Sequence, residues 1–218
     1  MKFGGTSVGD VAAFERVVHV VSSQTERRPV VVVSAMTKVT DALLAAFDLA
    51  KGGDLAGAVA SLEPHWERHV EVAGHFIAAD GPNLFGTELD LARGEISDLL
   101  LRTSRRSLPL SMLKDAIVSY GEQLSSRLLA EVLRSRGVNS RHFDSRRLVV
   151  TDDEFGSATP IMDETEELVR LEIVPATAAG EVPVMRGSAG RRERFPCFHM
   201  RKRPSLLTLA QRSCTRRR

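Results

Sequence analysis

The chain has 218 residues, 43% of them hydrophobic, 27% charged and 5% aromatic, which is enough apolar material for a sizeable core in one or two domains. No stretch approaches the roughly 18 consecutive apolar residues of a spanning helix, and the opening Met1-Lys2-Phe3-Gly4-Gly5 lacks the apolar region of a secretory signal, so a cytoplasmic location is expected. The net charge of +2 hides a split: residues 187–218 carry nine Arg and one Lys against the single acid Glu193, while residues 1–186 carry a net −7.

Phe3 to Gly9 reads as a Gly- and hydroxyl-rich turn after a short strand, most of which is expected to lie before Met1. Ser7 and Asp10 have the spacing of a capping box, with Ser7 as cap. Val11, Phe14, Val17, Val18 and Val21 then recur at helical spacing. Val30 to Val33 is a wholly β-branched run, as in a strand buried on both faces. Ser34 to Thr37 forms a loop, and Leu43, Leu44 and Phe47 predict a helix ending near Gly52-Gly53. Residues 55–80 and 85–103 read as two further helices broken by Asp80-Gly81-Pro82-Asn83. Pro109 opens a long amphipathic helix that stops at Arg136-Gly137, with Gly137 as its C-terminal cap. Val138 to Phe143 and Leu148 to Thr151 read as strands, 163–174 as a helix and Val182 to Met185 as a strand. The alternation predicts an α/β fold, a three-layer sandwich with a largely parallel central sheet and helices on both faces.

Ligands of open α/β sheets bind beyond the carboxyl ends of strands, where loops lead into helix N-termini. The loop Lys2-Phe3-Gly4-Gly5-Thr6-Ser7 has that placement. Paired glycines let main-chain N–H groups approach an anion, a helix N-terminus adds partial positive charge, and Lys2 adds a full one. A tight turn with Gly at positive φ explains the glycine pair alone as readily. No G-x-x-x-x-G-K-[ST] or G-x-G-x-x-G pattern occurs. The loop Ser34 to Asp41 offers three hydroxyls, of which Thr40, or else Asp41, has the position of a simple helix cap. Gly121, inside the long helix, costs about 1 kcal/mol relative to Ala and so signals a close approach by backbone or ligand. Glu122 beside it either holds a ligand ammonium group or lies on a solvated face. His65 and His69, four apart on a helix, read as surface histidines rather than metal ligands, because no third ligand is evident. Cys197, His199 and Cys214 are too few and too irregularly spaced for a structural metal site, and none is expected.

Taken in order, Lys2-Phe3-Gly4-Gly5-Thr6-Ser7-Val8, Ser34-Ala35-Met36 with Val39-Thr40, Ser119-Tyr120-Gly121-Glu122 with Ser125, and Phe155-Gly156-Ser157-Ala158 after Thr151-Asp152 resemble successive motifs of the aspartate kinases, in the amino-acid kinase superfamily. The resemblance covers residues 2 to about 186. It implies phosphoryl transfer from ATP, with Mg2+, to the side-chain carboxylate of L-aspartate, the first step toward lysine, threonine and methionine. It further implies that Lys2 is catalytic, that Lys2, Phe3, Gly4 and Gly5 bind phosphate, and that Ser34, Thr40 and Glu122 bind aspartate. Family members commonly form homo-oligomers.

The family's next segment, a Gly-Arg-Gly-Gly-Ser-Asp-Tyr pattern, is absent, and Arg186 stands where a Gly is common. The expected division is therefore a body, 1–186, holding the N-terminal portion of a kinase domain, and a basic, disordered tail, 187–218, of the kind an out-of-frame end produces. Such a chain is expected to be incomplete at its C-terminus and weakly active or inactive by itself. The alternative is a non-catalytic fragment whose tail binds nucleic acid or another anion by counterion release. Phe195 and Phe198 are the tail's only aromatics and no nucleic-acid signature accompanies them, so neither a nucleic-acid nor a membrane partner is expected.

Overall fold

The computed structural model describes residues 1–77, 84–151 and 159–187. Four strands form one sheet in the order β1-β2-β4-β3, where β1 is Lys2–Phe3, β2 Val31–Val33, β3 Ser140–Phe143 and β4 Val182–Arg186. All three pairings are parallel, with Phe3, Val33 and Arg186 aligned across three neighbouring strands. Parallel neighbours need crossover connections, and helices supply them. These are α1 (Val11–Ser22), α2 (Val39–Lys51), α3 (Leu55–Ala60), α4 (Glu63–Phe76), α5 (Leu84–Ser104), α6 (Leu110–Ser135) and α7 (Met162–Ala178). One face of the sheet, through Val31, Val33, Val182 and Val184, joins the main core with α1, α2 and α6. On the other face Met185 and Phe143 pack against Ile173 and Ala176 of α7. The α/β sheet with helices on both faces is the expected class.

Local departures from the sequence reading have physical causes. The cap of α1 is Asp10, whose carboxylate accepts from the Ala13 amide at 2.8 Å, and not Ser7. Ser7 is spent in a 3-10 turn, Gly5–Val8, that buries Val8 completely. The segment expected as one helix over 55–80 is two, α3 and α4. Pro64 has no N–H to give to a preceding turn, so it sits in the first turn of a new helix. Leu148 to Thr151 is not a strand beyond a single antiparallel bridge, Thr151 to Pro160. The Val150 amide meets Thr165 Oγ1 at 3.1 Å and its carbonyl accepts from Ile161 at 2.8 Å, so the start of α7 uses the groups a ladder needs. Helix α7 passes through Pro175, because the carbonyl that loses its partner belongs to Leu171, which faces water. Gly137 ends α6 as expected: at φ +81° it lets its own amide reach the Arg134 carbonyl and that of Val138 reach the Leu133 carbonyl, both at 3.0 Å. The turn 80–83 lies outside the described residues.

His69 is wholly buried between Trp66 and Phe85, which corrects its reading as a surface residue. Its Nδ1–H donates to the His65 carbonyl at 2.7 Å. Burial pushes its pKa from 6.5 down to about 4. His142 on β3 is pushed down to about 4 in the same way, with Arg127 adding to the effect of burial. Both rings are neutral in the fold at neutral pH and take protons more readily when unfolded. Their contribution to stability is therefore present above pH 6.5 and is lost as pH falls toward 4. Each lost contribution is on the order of 2 kcal/mol between pH 7 and pH 5. Urea midpoints are expected to drop over that window, and to drop about half as far in His69→Gln. A midpoint flat from pH 7 to pH 5 contradicts this.

Candidate active site

The carboxyl ends of β1, β2 and β4 point to one edge of the molecule, and the loops that leave them are stitched together. The Ser34 amide donates to the Phe3 carbonyl at 3.0 Å, and the Gly187 amide donates to the Val33 carbonyl at 3.1 Å. From α6, Ser125 Oγ donates to the Ser34 carbonyl at 2.7 Å. A Cβ built on Gly187 lies 3.7 Å from Glu122 Oε1 and 3.6 Å from Val32. Lys2 is the register partner of Val32 and is exposed. The structure thus brings Lys2, Gly4, Gly5, Ser34 and Glu122 to one end of the sheet, although they span 120 residues of sequence. Thr40 lies in the first turn of α2, the helix that follows the second loop. The Phe3 side chain packs against the main core, so its contribution at this edge is backbone.

The two glycines do different things. Neither has the positive φ of the turn explanation; among the described glycines only Gly53, Gly137 and Gly180 do. A Cβ on Gly5 lies 2.9 Å from the Ala35 carbonyl oxygen, so packing of the second loop against the first excludes any side chain there. A Cβ on Gly4 meets nothing within 4 Å. Among the described residues nothing occupies the space beside Gly4, as at Gly74 and Gly94. Gly4 and Gly5 lead into a 3-10 turn, whose first N–H groups have no acceptor within the turn. That arrangement suits an anion.

Thr40 does not cap α2. The cap is Lys38, which enters the helix from a left-handed conformation at φ 64° and offers no side-chain bond. Thr40 and Ser34 donate no hydroxyl hydrogen bond within the described residues. Glu122 is half-buried rather than on a solvated face, and so is Ser119. Ser125 and Ser126 are fully buried and each donates to a backbone carbonyl. Gly121 marks a close approach, as its cost in a helix implies: a Cβ there lies 3.0 Å from Ala35 Cβ and 3.4 Å from both Val39 and Leu43. This contact seats α6, and with it Glu122, against the second loop.

Arg186 is the last residue of β4 and is 2% exposed, so the strand continues through the position where the family pattern departs. Its carbonyl accepts from Ser145 Oγ at 2.9 Å. Asp144 lies close by. Burial raises its pKa, but hydrogen bonds and charge from Arg146, with Arg186 adding to them, hold it below the ordinary carboxylate value. Among the described residues no group of three or more His, Cys, Asp or Glu side chains could hold a metal ion, and no helix is long and apolar enough to cross a membrane. The motif at 155–158, the thiols Cys197 and Cys214, and the tail from 188 lie outside the described residues.

The fold is a parallel α/β sheet that gathers a lysine, a glycine pair and a carboxylate at one edge. The amino acid kinase family pattern matches residues 1–198, and the chain belongs to that family. Within it the chain is similar to aspartokinases. It is 33% identical over 181 residues to the lysine-sensitive aspartokinase 3 of Escherichia coli K12, covering 83% of this chain and 38% of that protein. It is 30% identical over 200 residues to the chloroplastic aspartokinase 3 of Arabidopsis thaliana, covering 88% of this chain and 34% of that one. The crystal structure of E. coli aspartokinase III in complex with aspartate and ADP superposes with a TM-score of 0.72 at 29% identity, over 85% of this chain and 39% of that chain. The chain therefore spans well under half the length of these relatives.

Proposed function

We propose that this chain supplies the phosphate-holding and amino-acid-holding part of an aspartate kinase, which transfers the γ-phosphoryl group of ATP to the side-chain carboxylate of L-aspartate. The observation that carries the reading is Gly4, half-buried in the loop that follows β1, with open space where a side chain would lie. The solved aspartokinase with aspartate and ADP bound supports the same reading. In the reaction a carboxylate oxygen of aspartate forms the new bond to phosphorus, the bond between phosphorus and the bridging oxygen breaks, and ADP leaves. The acceptor is already ionised at neutral pH, so no strong general base is called for. Rate comes from positioning and from stabilising charge on the phosphoryl oxygens. The Gly4 and Gly5 amides bind those oxygens and the Lys2 ammonium neutralises them. Ser34 and Thr40 offer hydroxyls to aspartate, and Glu122 pairs with its ammonium group. Mg2+ bound to the ATP phosphates supplies further charge neutralisation.

The test allows for the chain's length relative to its relatives. The chain is fused after Gly187 to the remainder of the E. coli relative and assayed with Mg-ATP, L-aspartate and hydroxylamine, which traps the acyl phosphate. Hydroxamate is expected with L-aspartate and not with L-glutamate. A folded fusion that forms none refutes the proposal.

A further inference from the structure

The two loops that meet at the site are tied to each other, and then to α4, by residues that the functional reading leaves without a role. Thr37 Oγ1 donates to the Gly5 carbonyl at 2.9 Å, bridging the second loop to the first. The same hydroxyl fills the space beside Gly9, where a Cβ would lie 2.8 Å from it. The Thr37 carbonyl in turn accepts from a terminal nitrogen of Arg68 at 2.6 Å, and that nitrogen also donates to His65 Nδ1 at 3.2 Å. Arg68 Nε is buried with no hydrogen-bond partner among the described residues. Leaving a guanidinium N–H unsatisfied inside a protein costs free energy. An arginine held in that way is poorly explained by stability alone, and its one long-range hydrogen bond among the described residues is to the site loop.

We infer that Arg68 and Thr37 form a latch from α4 through the second loop to the Gly4-Gly5 loop, and that as positioning residues they set the spacing between the phosphate cradle and the amino-acid contacts. The inference rests on the proposed function for the identity of what is positioned, but the latch itself does not. Thr37 fixes the backbone of Gly5 on one side, and the Gly5 amide faces the anion on the other. A shift of the second loop therefore moves the cradle and Ser34 together only while the latch is closed. Once it opens, only the Ser34–Phe3 hydrogen bond and the packing of Gly5 against Ala35 still join the loops, and the cradle gains freedom relative to Ser34.

The experiment uses the 218-residue chain. Amide hydrogen exchange is followed peptide by peptide in the wild type, Thr37→Val, Thr37→Ser, Arg68→Met and Arg68→Lys, and L-aspartate is titrated calorimetrically into each. Loss of one such hydrogen bond is expected to speed exchange over residues 3–9 and 34–38 about five- to tenfold in Thr37→Val and Arg68→Met. Residues 124–133 of α6 should keep their wild-type rates. Thr37→Ser and Arg68→Lys, which keep a donor, are expected to restore slow exchange. L-aspartate affinity should fall with the loosening and recover with the conservative variants. Unchanged exchange over 3–9 in both disruptive variants overturns the latch, as does equal loosening in Thr37→Ser. Loosened loops with unaltered L-aspartate affinity overturn its positioning role. A wild-type chain with no L-aspartate affinity counts against the function reading, and the exchange rates then decide the latch by themselves.

Discussion

In the fused kinase, Lys2→Ala is expected to lower kcat about a hundred- to a thousandfold while changing the KM for L-aspartate little. The size follows from the loss of one preorganised positive group at developing phosphoryl charge. The pattern follows from the group acting on charge that peaks in the transition state rather than on bound amino acid. Glu122→Gln should behave in the opposite way. A charge-assisted hydrogen bond to the substrate ammonium contributes about 2 kcal/mol, so the KM for L-aspartate is expected to rise about thirtyfold. Succinate separates this from a general disturbance of the site. It carries both carboxylates of aspartate and no ammonium, so its inhibition constant should be the same in Glu122→Gln and wild type. If succinate weakens in parallel with aspartate, Glu122 shapes the pocket and does not bind the amine. If Lys2→Ala instead raises KM with kcat intact, Lys2 binds aspartate and the two roles are wrongly divided.

Much of this was legible from local patterns. The β-branched run before Ser34 is the inner strand β2, one residue shorter than expected. The helical spacing of Val11, Phe14, Val17 and Val21 is the buried stripe of α1, apart from the peripheral Val11. Gly121 announced a close contact because nothing else justifies its cost within a helix. What escaped notice was of two kinds. Some choices were locally degenerate: Ser7 and Asp10 are both good caps, and only the burial of Val8 decides between them. The left-handed entry of Lys38 into α2 has no compositional signature at all. Other features join residues far apart in sequence. The bonds from Thr37 to Gly5 and from Arg68 to Thr37 cross 32 and 31 residues, so no window of sequence contains both partners. His69 belongs to this second kind, because its burial depends on Phe85, which comes from the next helix.

The contact at Gly121 gives the largest expected effect on folding. Replacing it by Ala sets two terms against each other. The helix gains about 1 kcal/mol from the better propensity of Ala. Against that, the new methyl meets Ala35 Cβ at 3.0 Å, closer than carbon atoms sit comfortably, with Val39 and Leu43 both at 3.4 Å. The terms are comparable, so Gly121→Ala should leave the urea midpoint nearly unchanged. Gly121→Leu gains a similar propensity but drives three further carbons into a contact already closed. Overpacking of this kind costs up to about 3 kcal/mol, and the strain has two ways out. Either α6 moves away from α2, carrying Glu122 from the Ser34 loop, or Ala35 moves and pulls on the Gly5 packing through its carbonyl. Both routes reach the site. Gly121→Leu is therefore expected to lower stability by about 2 kcal/mol net and to weaken L-aspartate binding in whatever fraction remains folded, whereas Leu91→Ala, on the exposed side of α5, should do neither. Equal urea midpoints for Gly121→Leu and Gly121→Ala would mean that α6 and α2 have room between them, and that Glu122 is not held in place by this contact.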